Sequence, residues 1–232
     1  MLLSLAVITK QSTYVVPTTT LAGTPQKQFS WLTASPNCIS ESVQADSSQF
    51  SQLAHATAQA FADNRCIQRV DLTLTSYSSA FFLACYGDNA TVPANYQMLK
   101  YAGIASRKCV PNAVDVCPLL CENGGPINLK QILNELVFAD VVSIKNAVEK
   151  YGVLLAKMNI FEDFYSHKDG VYEHRAGQLV GVQEIAIVGF GDDFWLVRTS
   201  EGSNFAENGF LRVRIGQEAL GIEARCTAFE VA

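Results

Sequence analysis

The second half of the chain alternates apolar runs with glycine-containing turns, a pattern typical of an antiparallel sheet. Two apolar runs, Ile185–Phe190 and Phe194–Val197, flank Gly191-Asp192-Asp193, which predicts two strands joined by a tight hairpin. Residues Phe210–Ile215 follow a cluster of turn residues and alternate with period two, as a half-buried strand does. With a further strand expected over Val153–Met158, the pattern predicts a sheet with one buried face.

The first half carries the three- and four-residue apolar spacing of helices. Between Ser48 and Arg65 the apolar positions form one stripe, and Asp46 or Ser47 can serve as the N-cap. A shorter helix is expected over Ala94–Gly103, where the glycine stops the helix. The sequence therefore predicts a helical N-terminal half built on one long helix.

One more helix is predicted ahead of the sheet. Ser143–Tyr151 has a buried-face pattern, with Ser143 at its N-cap and Gly152 just past its end. The N-terminal residues 11–30 are rich in Thr, Ser, Gln, Pro and Gly, which favours an extended lead-in.

Composition narrows the class of protein and of partner. Apolar residues make up 49% and charged residues 17%, and the net charge is −5 without any basic run, which argues against nucleic acid. Met1–Thr9 is apolar but too short to span a bilayer, and no other stretch approaches that length. The Asn89-Ala-Thr91 sequon is a glycosylation candidate and fits a secretory or extracellular protein. A component of an intracellular assembly is the alternative.

The motifs GVQEIAIVGFG, FWLVRTS and NGFLRVRIG, followed by LGIEA, resemble the right-hand lobe of papain-family cysteine peptidases. GVYEH at Gly170–His174 is similar to the cathepsin B branch, and the resemblance covers about residues 28–232. It implies an α+β, papain-like fold of two lobes, with a helical left lobe over 28–125 and an antiparallel β-barrel right lobe over 126–232. The stretch Leu72–Cys85 resembles the short helix of the family's left lobe that ends in Cys. Residues 1–27 are then a lead-in that contains a degenerate signal or an ordinary start.

The same motifs imply the positions of the catalytic residues in the right lobe. In the family a catalytic His precedes the first of these strands, and Gln183 stands there in this chain. The Asn that orients the His is replaced by Thr199, and the Trp that shields the Asn is replaced by Glu201. The resemblance therefore implies that the base and its orienting residue have been lost.

The nucleophilic Cys of the family lies at the start of the central helix. Alignment from the two flanking cysteines puts its place at Gln52 or Leu53, and neither residue is a nucleophile. The Gln that stabilises the oxyanion in the family falls on Asp46 or Ser47, and an anionic Asp would oppose a developing oxyanion.

The chain has seven cysteines, and six of them allow fifteen connectivities from sequence alone. Resemblance to cathepsin B implies the pairs Cys38–Cys66, Cys85–Cys117 and Cys109–Cys121. Cys226 remains over and is expected to be a buried thiol. No CxxC pair is present, so no metal site is predicted.

These observations predict a pseudopeptidase without a cofactor, whose scaffold binds proteins or serves as a building block of a larger assembly. The alternative is an active hydrolase with a displaced nucleophile, either Ser51 or Cys226. Such a nucleophile needs a facing base. Of the three histidines, His55 is expected inside the central helix, while His167 and His174 are expected in a solvated connection.

Overall fold

The computed structural model describes residues 16–42, 49–87 and 92–231. The helices are α1 (Trp31–Ala34), α2 (Gln49–Ile67), α3 (Ser79–Tyr86), α4 (Val92–Tyr101) and α5 (Val141–Tyr151), with short 3-10 turns at Pro36–Cys38, Glu162–Ser166, Glu218–Leu220 and Ile222–Ala224. The strands are β1 (Phe29–Ser30), β2 (Ile132–Phe138), β3 (Leu154–Phe161), β4 (Val171–Tyr172), β5 (Leu179–Phe190), β6 (Phe194–Arg198), β7 (Phe210–Arg214) and β8 (Cys226–Val231). The predicted cap residues Asp46 and Ser47, the sequon residue Asn89 and the segment 1–15 lie outside the described residues.

The eight strands form one sheet in the order β2-β8-β3-β5-β6-β7-β4, and β1 adds to β5. All neighbours are antiparallel except β4 and β7, which are parallel. The α+β, papain-like prediction is confirmed, but the closed barrel was wrong, because the edge strands β2 and β4 do not pair within the described ranges. Strand β4 spans two residues and pairs with β7 alone among the described strands.

The predicted hairpin is present between β5 and β6. The Gly191 backbone N–H donates to the Phe194 carbonyl across 2.8 Å, and β7 then pairs with β6 as a meander. Gly189 lies where β1 pairs with β5. A larger residue would not fit there, because its Cβ atom would lie 2.5 Å from the Phe29 carbonyl oxygen. The strand predicted over Val153–Met158 is the longer β3, and the edge strand β2 was not predicted.

Two hydrophobic cores lie on opposite faces of the sheet. On β5, Ala186 and Val188 pack into the core shared with α2, α3 and α4, whereas Ile185 and Ile187 pack into the core shared with α5. The expectation of a sheet with one buried face was therefore wrong for this part of β5. Both faces are covered, which explains the continuous apolar run in the sequence.

The predicted helices are present with shifted starts. Within the stretch Leu72–Cys85 the helix begins only at Ser79, because the Ser78 hydroxyl caps it by accepting from the Phe81 N–H, and the helix ends one residue past the stretch at Tyr86. Helix α5 starts at Val141 rather than after Ser143, because Asp140 is the N-cap and accepts from the Ser143 N–H at 2.8 Å.

All three disulfides that the resemblance implies are formed, namely Cys38–Cys66, Cys85–Cys117 and Cys109–Cys121. Cys38–Cys66 ties the C-terminal turn of α2 to the segment that leads into it. The other two bonds cross-link the loop-rich region around residues 85–121. The boundary between lobes at 125/126 stays a prediction.

Candidate active-site region

Helix α2 is fixed to the sheet by a buried ion pair. Nη1 of Arg198, at the end of β6, lies 2.6 Å from Oδ2 of Asp63, and both side chains are almost fully buried. The other Asp63 oxygen accepts from the backbone N–H and the hydroxyl of Ser40 at 2.8 and 2.6 Å. The helix and the strand that borders the region are thereby held in one relative position.

The turn after α5 adds a second attachment for α2. The Asn64 side chain accepts from the Val153 N–H at 2.6 Å and donates to the Val153 carbonyl at 2.9 Å. Gly152 allows this approach, since a Cβ atom there would lie 2.4 Å from Asn64 Oδ1, and its φ is +105°. Hydrogen bonds thus attach α2 both to β6 and to the turn before β3.

Gln183 lies on β5 and is 2% exposed. Its Nε2 donates a hydrogen bond to Oε1 of Glu201 at 2.7 Å. Its Oε1 is buried and has no hydrogen-bond partner among the described residues. The amide is thus held by Glu201 alone.

Thr199 follows β6 directly and is also buried. Its Oγ1 donates to the Gly209 carbonyl at 3.1 Å and accepts from the Glu201 N–H at 3.3 Å. Its carbonyl oxygen accepts from the Ser42 hydroxyl at 2.7 Å. Thr199, Glu201 and Gln183 therefore form one continuous hydrogen-bonded chain.

The two candidate nucleophile positions lie in the first turns of α2. Leu53 is buried in the hydrophobic core of the helical lobe, while Gln52 is half-buried. A leucine side chain has no polar atom, and a carboxamide is neither a useful nucleophile nor a base at neutral pH. Ser51 precedes them and is buried.

A family model described as "Papain family cysteine protease" matches residues 26–229. The chain belongs to the papain family of cysteine proteases.

Relatives in this papain family carry cathepsin B names. The chain is 26% identical over 233 residues to "Cathepsin B-like CP3" of Giardia intestinalis, with 92% of this chain and 78% of that protein covered. It is 37% identical over 92 residues to "Cathepsin B-like cysteine proteinase 3" of Caenorhabditis elegans, covering 38% of this chain and 25% of that protein. The structure of "proCathepsin B S9 from Trypanosoma congolense" superposes with a TM-score of 0.83 at 20% identity, covering 94% and 83% of the two chains.

The remaining thiol of this papain-family chain is Cys226, which is fully buried on β8. Its Sγ donates to the Ile222 carbonyl at 3.3 Å. Burial strongly raises the pKa of the thiol, and the nearby acidic residues Glu223 and Glu184 raise it further. The group therefore stays a neutral thiol at physiological pH.

The prediction that His174 is solvated was wrong. Its ring stacks on Phe161 with centroids 3.6 Å apart, and Nδ1 lies 3.1 Å from Asp163 Oδ1. Burial alone would raise the pKa of Asp163, but hydrogen bonds from the Arg175 N–H, Tyr172 hydroxyl, His174 and Ala176 N–H outweigh it and hold the pKa well below its usual range. This carboxylate organises the loop around β4.

Sequence reasoning missed one ionisable group beside the candidate site. Glu184 follows Gln183 and accepts from the Tyr96 hydroxyl at 2.7 Å. The only signal in the sequence was an acidic residue at the start of the apolar run EIAIVGF.

In the described part of the chain, no three His, Cys, Asp or Glu side chains are arranged to hold a metal ion. The helices described there are too short or too polar to cross a membrane.

Proposed function

We propose that this cathepsin B-like papain-family chain is catalytically inactive and serves as a protein-binding or structural component. The observation that carries the proposal is the state of Gln183. It stands where the sequence resemblance has the catalytic His, and its amide is buried and donates to Glu201. A carboxamide has no basic nitrogen that could take the proton of a nucleophile.

The surroundings of Thr199 also support inactivity. This residue stands where the family has the Asn that orients the catalytic His. Its hydroxyl donates to the Gly209 carbonyl and accepts from the Glu201 N–H, so its polar capacity is used within its own loop. An orienting residue works by fixing the ring of a base. With Gln183 in place of His there is no ring to fix.

The surroundings of Cys226 do not support it as an alternative nucleophile. Cys226 is buried in a hydrophobic core, and its pKa is raised, whereas nucleophilic cysteines have a lowered pKa and an accessible sulfur. Ser51 is buried on α2, and a serine needs a positioned base to become reactive. An active hydrolase would have to use one of these residues or another that is still unidentified.

The proposed setting is an oxidising compartment, either secretory or extracellular. Three disulfides are formed within the described chain, and such bonds persist mainly in those compartments. The proposed partner is a protein.

A hydrolysis assay tests the absence of activity. Purified protein with intact disulfides is incubated with a general fluorogenic peptide amide between pH 5 and pH 8. We expect no turnover above buffer. Turnover that survives further purification would overturn the proposal, and its loss in Cys226→Ala or Ser51→Ala would identify the nucleophile.

Purification of the native protein from its source tests the binding role. Recovery in fixed stoichiometry with one or a few proteins is the expected result. Recovery as a lone monomer that cleaves peptides would contradict both parts of the proposal. Co-purification with intracellular rather than secreted proteins would overturn the proposed compartment.

A further inference from the structure

A cavity of about 260 Å³ lies on the face of the sheet that packs against the helical lobe. Leu155 and Thr227 are register partners on β3 and β8, and Lys157 and Glu184 are register partners on β3 and β5. Cross-strand partners project from the same face, so these four side chains line one surface. Tyr96 of α4 and Arg225, which precedes β8, also line the cavity.

The cavity has an apolar floor and two cations at its wall. Leu155 and Thr227 are almost fully buried. The exposed Lys157 ammonium has no ion pair to any described residue. Arg225 Nη2 lies 2.9 Å from Glu135 Oε1, and 34% of the Arg225 side chain remains exposed. Among the described residues Lys157 is therefore unpaired, and Arg225 keeps exposed surface beside its one ion pair.

The acidic group in this wall is Glu184, which is 7% exposed and accepts from the Tyr96 hydroxyl. Burial raises the pKa of Glu184 to about 7, although the Tyr96 hydrogen bond and the charges of Lys157 and Arg225 lower it. The ionisable groups around the Tyr96–Glu184 pair are Glu135 on β2, Lys157 on β3, Arg225 before β8 and Cys226 on β8. Protonation of Glu184 as the pH falls below 7 therefore removes one negative charge from beside the two cations.

We propose that this cavity binds the acidic side chain of a peptide, with its methylenes against Leu155 and Thr227 and its carboxylate between Lys157 and Arg225. The inference rests on the proposed protein-binding function and names a chemical class for the bound peptide. Carboxylate recognition fits the unpaired ammonium of Lys157 and the partly exposed guanidinium of Arg225, because charge-assisted hydrogen bonds are the strongest that these groups form. A glutamate side chain also carries the apolar stem that the floor accommodates.

The same arrangement makes binding dependent on pH. Ionised Glu184 opposes a second carboxylate in the cavity, whereas neutral Glu184 can donate to it. If the peptide binds only when Glu184 is neutral, affinity falls about tenfold between pH 6 and pH 8. The peptide carboxylate stays ionised over that range because its own pKa is about 4.3.

The test is an NMR titration with three capped tripeptides, Ala-Glu-Ala, Ala-Gln-Ala and Ala-Lys-Ala. At pH 6 the Glu peptide is expected to bind most tightly and to shift the backbone amides of Leu155, Lys157 and Thr227. Lys157→Met removes the preference for Glu over Gln, while Lys168→Met, an exposed lysine that does not line the cavity, leaves it unchanged. Glu184→Gln keeps the Tyr96 contact and abolishes the pH dependence.

Equal binding of the Glu and Lys peptides, or no binding of any, would overturn the inference. The same samples are examined by mass spectrometry for cleaved peptide. Cleavage would contradict the proposed inactivity whatever the binding data show. Intact peptides without selectivity would contradict only the ligand class.

Discussion

The Nε2 atom of Gln183 donates to the Oε1 atom of Glu201 across 2.7 Å, and this bond joins the middle of the sheet to the loop that follows β6. Glu201 is in turn held through its N–H by Thr199. Residues at three positions where the papain-family resemblance expects His, Asn and Trp thus form a network of their own. The network leaves Gln183 Oε1 without a partner among the described residues, and its one ionisable side chain is the Glu201 carboxylate.

Removing the acceptor of this bond is expected to destabilise the fold. Glu201→Ala leaves a buried amide without a partner, at a cost of about 1–3 kcal/mol in the free energy of unfolding. Glu201→Gln keeps an acceptor and should cost less. Urea unfolding at pH 7 measures both variants, and a Glu201→Ala protein as stable as the parent would show that the bond does not hold Gln183.

The buried ion pair between Asp63 and Arg198 is expected to contribute more to the free energy of unfolding than the Gln183–Glu201 hydrogen bond does. Arg198→Met leaves the Asp63 carboxylate buried beside Ser40 alone, and loss of one partner of a buried pair costs about 3–5 kcal/mol. The double variant Asp63→Asn/Arg198→Met should cost clearly less than the sum of the two single changes.

A matched control comes from the half-exposed pair of Arg212 and Glu207. Arg212→Met there should cost less than about 1 kcal/mol. Equal effects of Arg198→Met and Arg212→Met would contradict the view that the Asp63 pair fixes α2 to the sheet.

The raised pKa of Glu184 predicts that the free energy of unfolding falls as the pH rises. Its pKa is raised from 4.5 in the unfolded chain to about 7 in the folded protein, so its contribution is fully present below pH 4.5 and is lost as the pH rises through 7. The loss is roughly 3 kcal/mol at most, from a shift of about 2.5 pH units. Glu184→Gln should remove this loss, as measured by urea unfolding at pH 5 and pH 8. Parallel pH profiles for the two proteins would show that the group does not titrate there.

The Cys226 thiol is expected not to react with alkylating reagents in the folded protein. In native buffer at pH 8, iodoacetamide should leave the protein unlabelled, because burial keeps the sulfur inaccessible and protonated. In denaturant without reductant, intact mass should rise by one label per chain, since the other six cysteines are in disulfides. Rapid labelling in native buffer, or more than one label, would contradict this assignment.

The sequence predicted those parts of the fold that depend on local pattern. The β5–β6 hairpin followed from two apolar runs around Gly191, and α2 followed from its apolar stripe. The edge strand β2 was missed because its pairing with β8 joins residues nearly a hundred positions apart, which no local pattern reveals. The closed barrel was mispredicted because closure requires the edge strands β2 and β4 to pair, and the sequence pattern does not show which strands pair.

In the candidate site, too, sequence motifs located some residues but missed the contacts that depend on the fold. Gln183 and Thr199 were located from the motifs around them. The bond from Gln183 to Glu201 needs the register of two strands and the path of a loop, so it could not be predicted from sequence. Glu184 was overlooked because its significance comes from Tyr96, Lys157 and Arg225, which the fold gathers from three separate elements.

The most direct test of catalytic inactivity is covalent labelling with an epoxysuccinyl peptide, a reagent directed at active-site thiols, read as intact mass. The wild-type protein is compared with the rebuilt variants Gln52→Cys and Leu53→Cys, each combined with Gln183→His, Thr199→Asn and Glu201→Trp. Our account predicts an unlabelled wild type and one label on at least one rebuilt variant, which would show that the scaffold still admits the reagent. Stoichiometric labelling of the wild type would contradict the account, because it would reveal a working nucleophile in a chain that we propose has none.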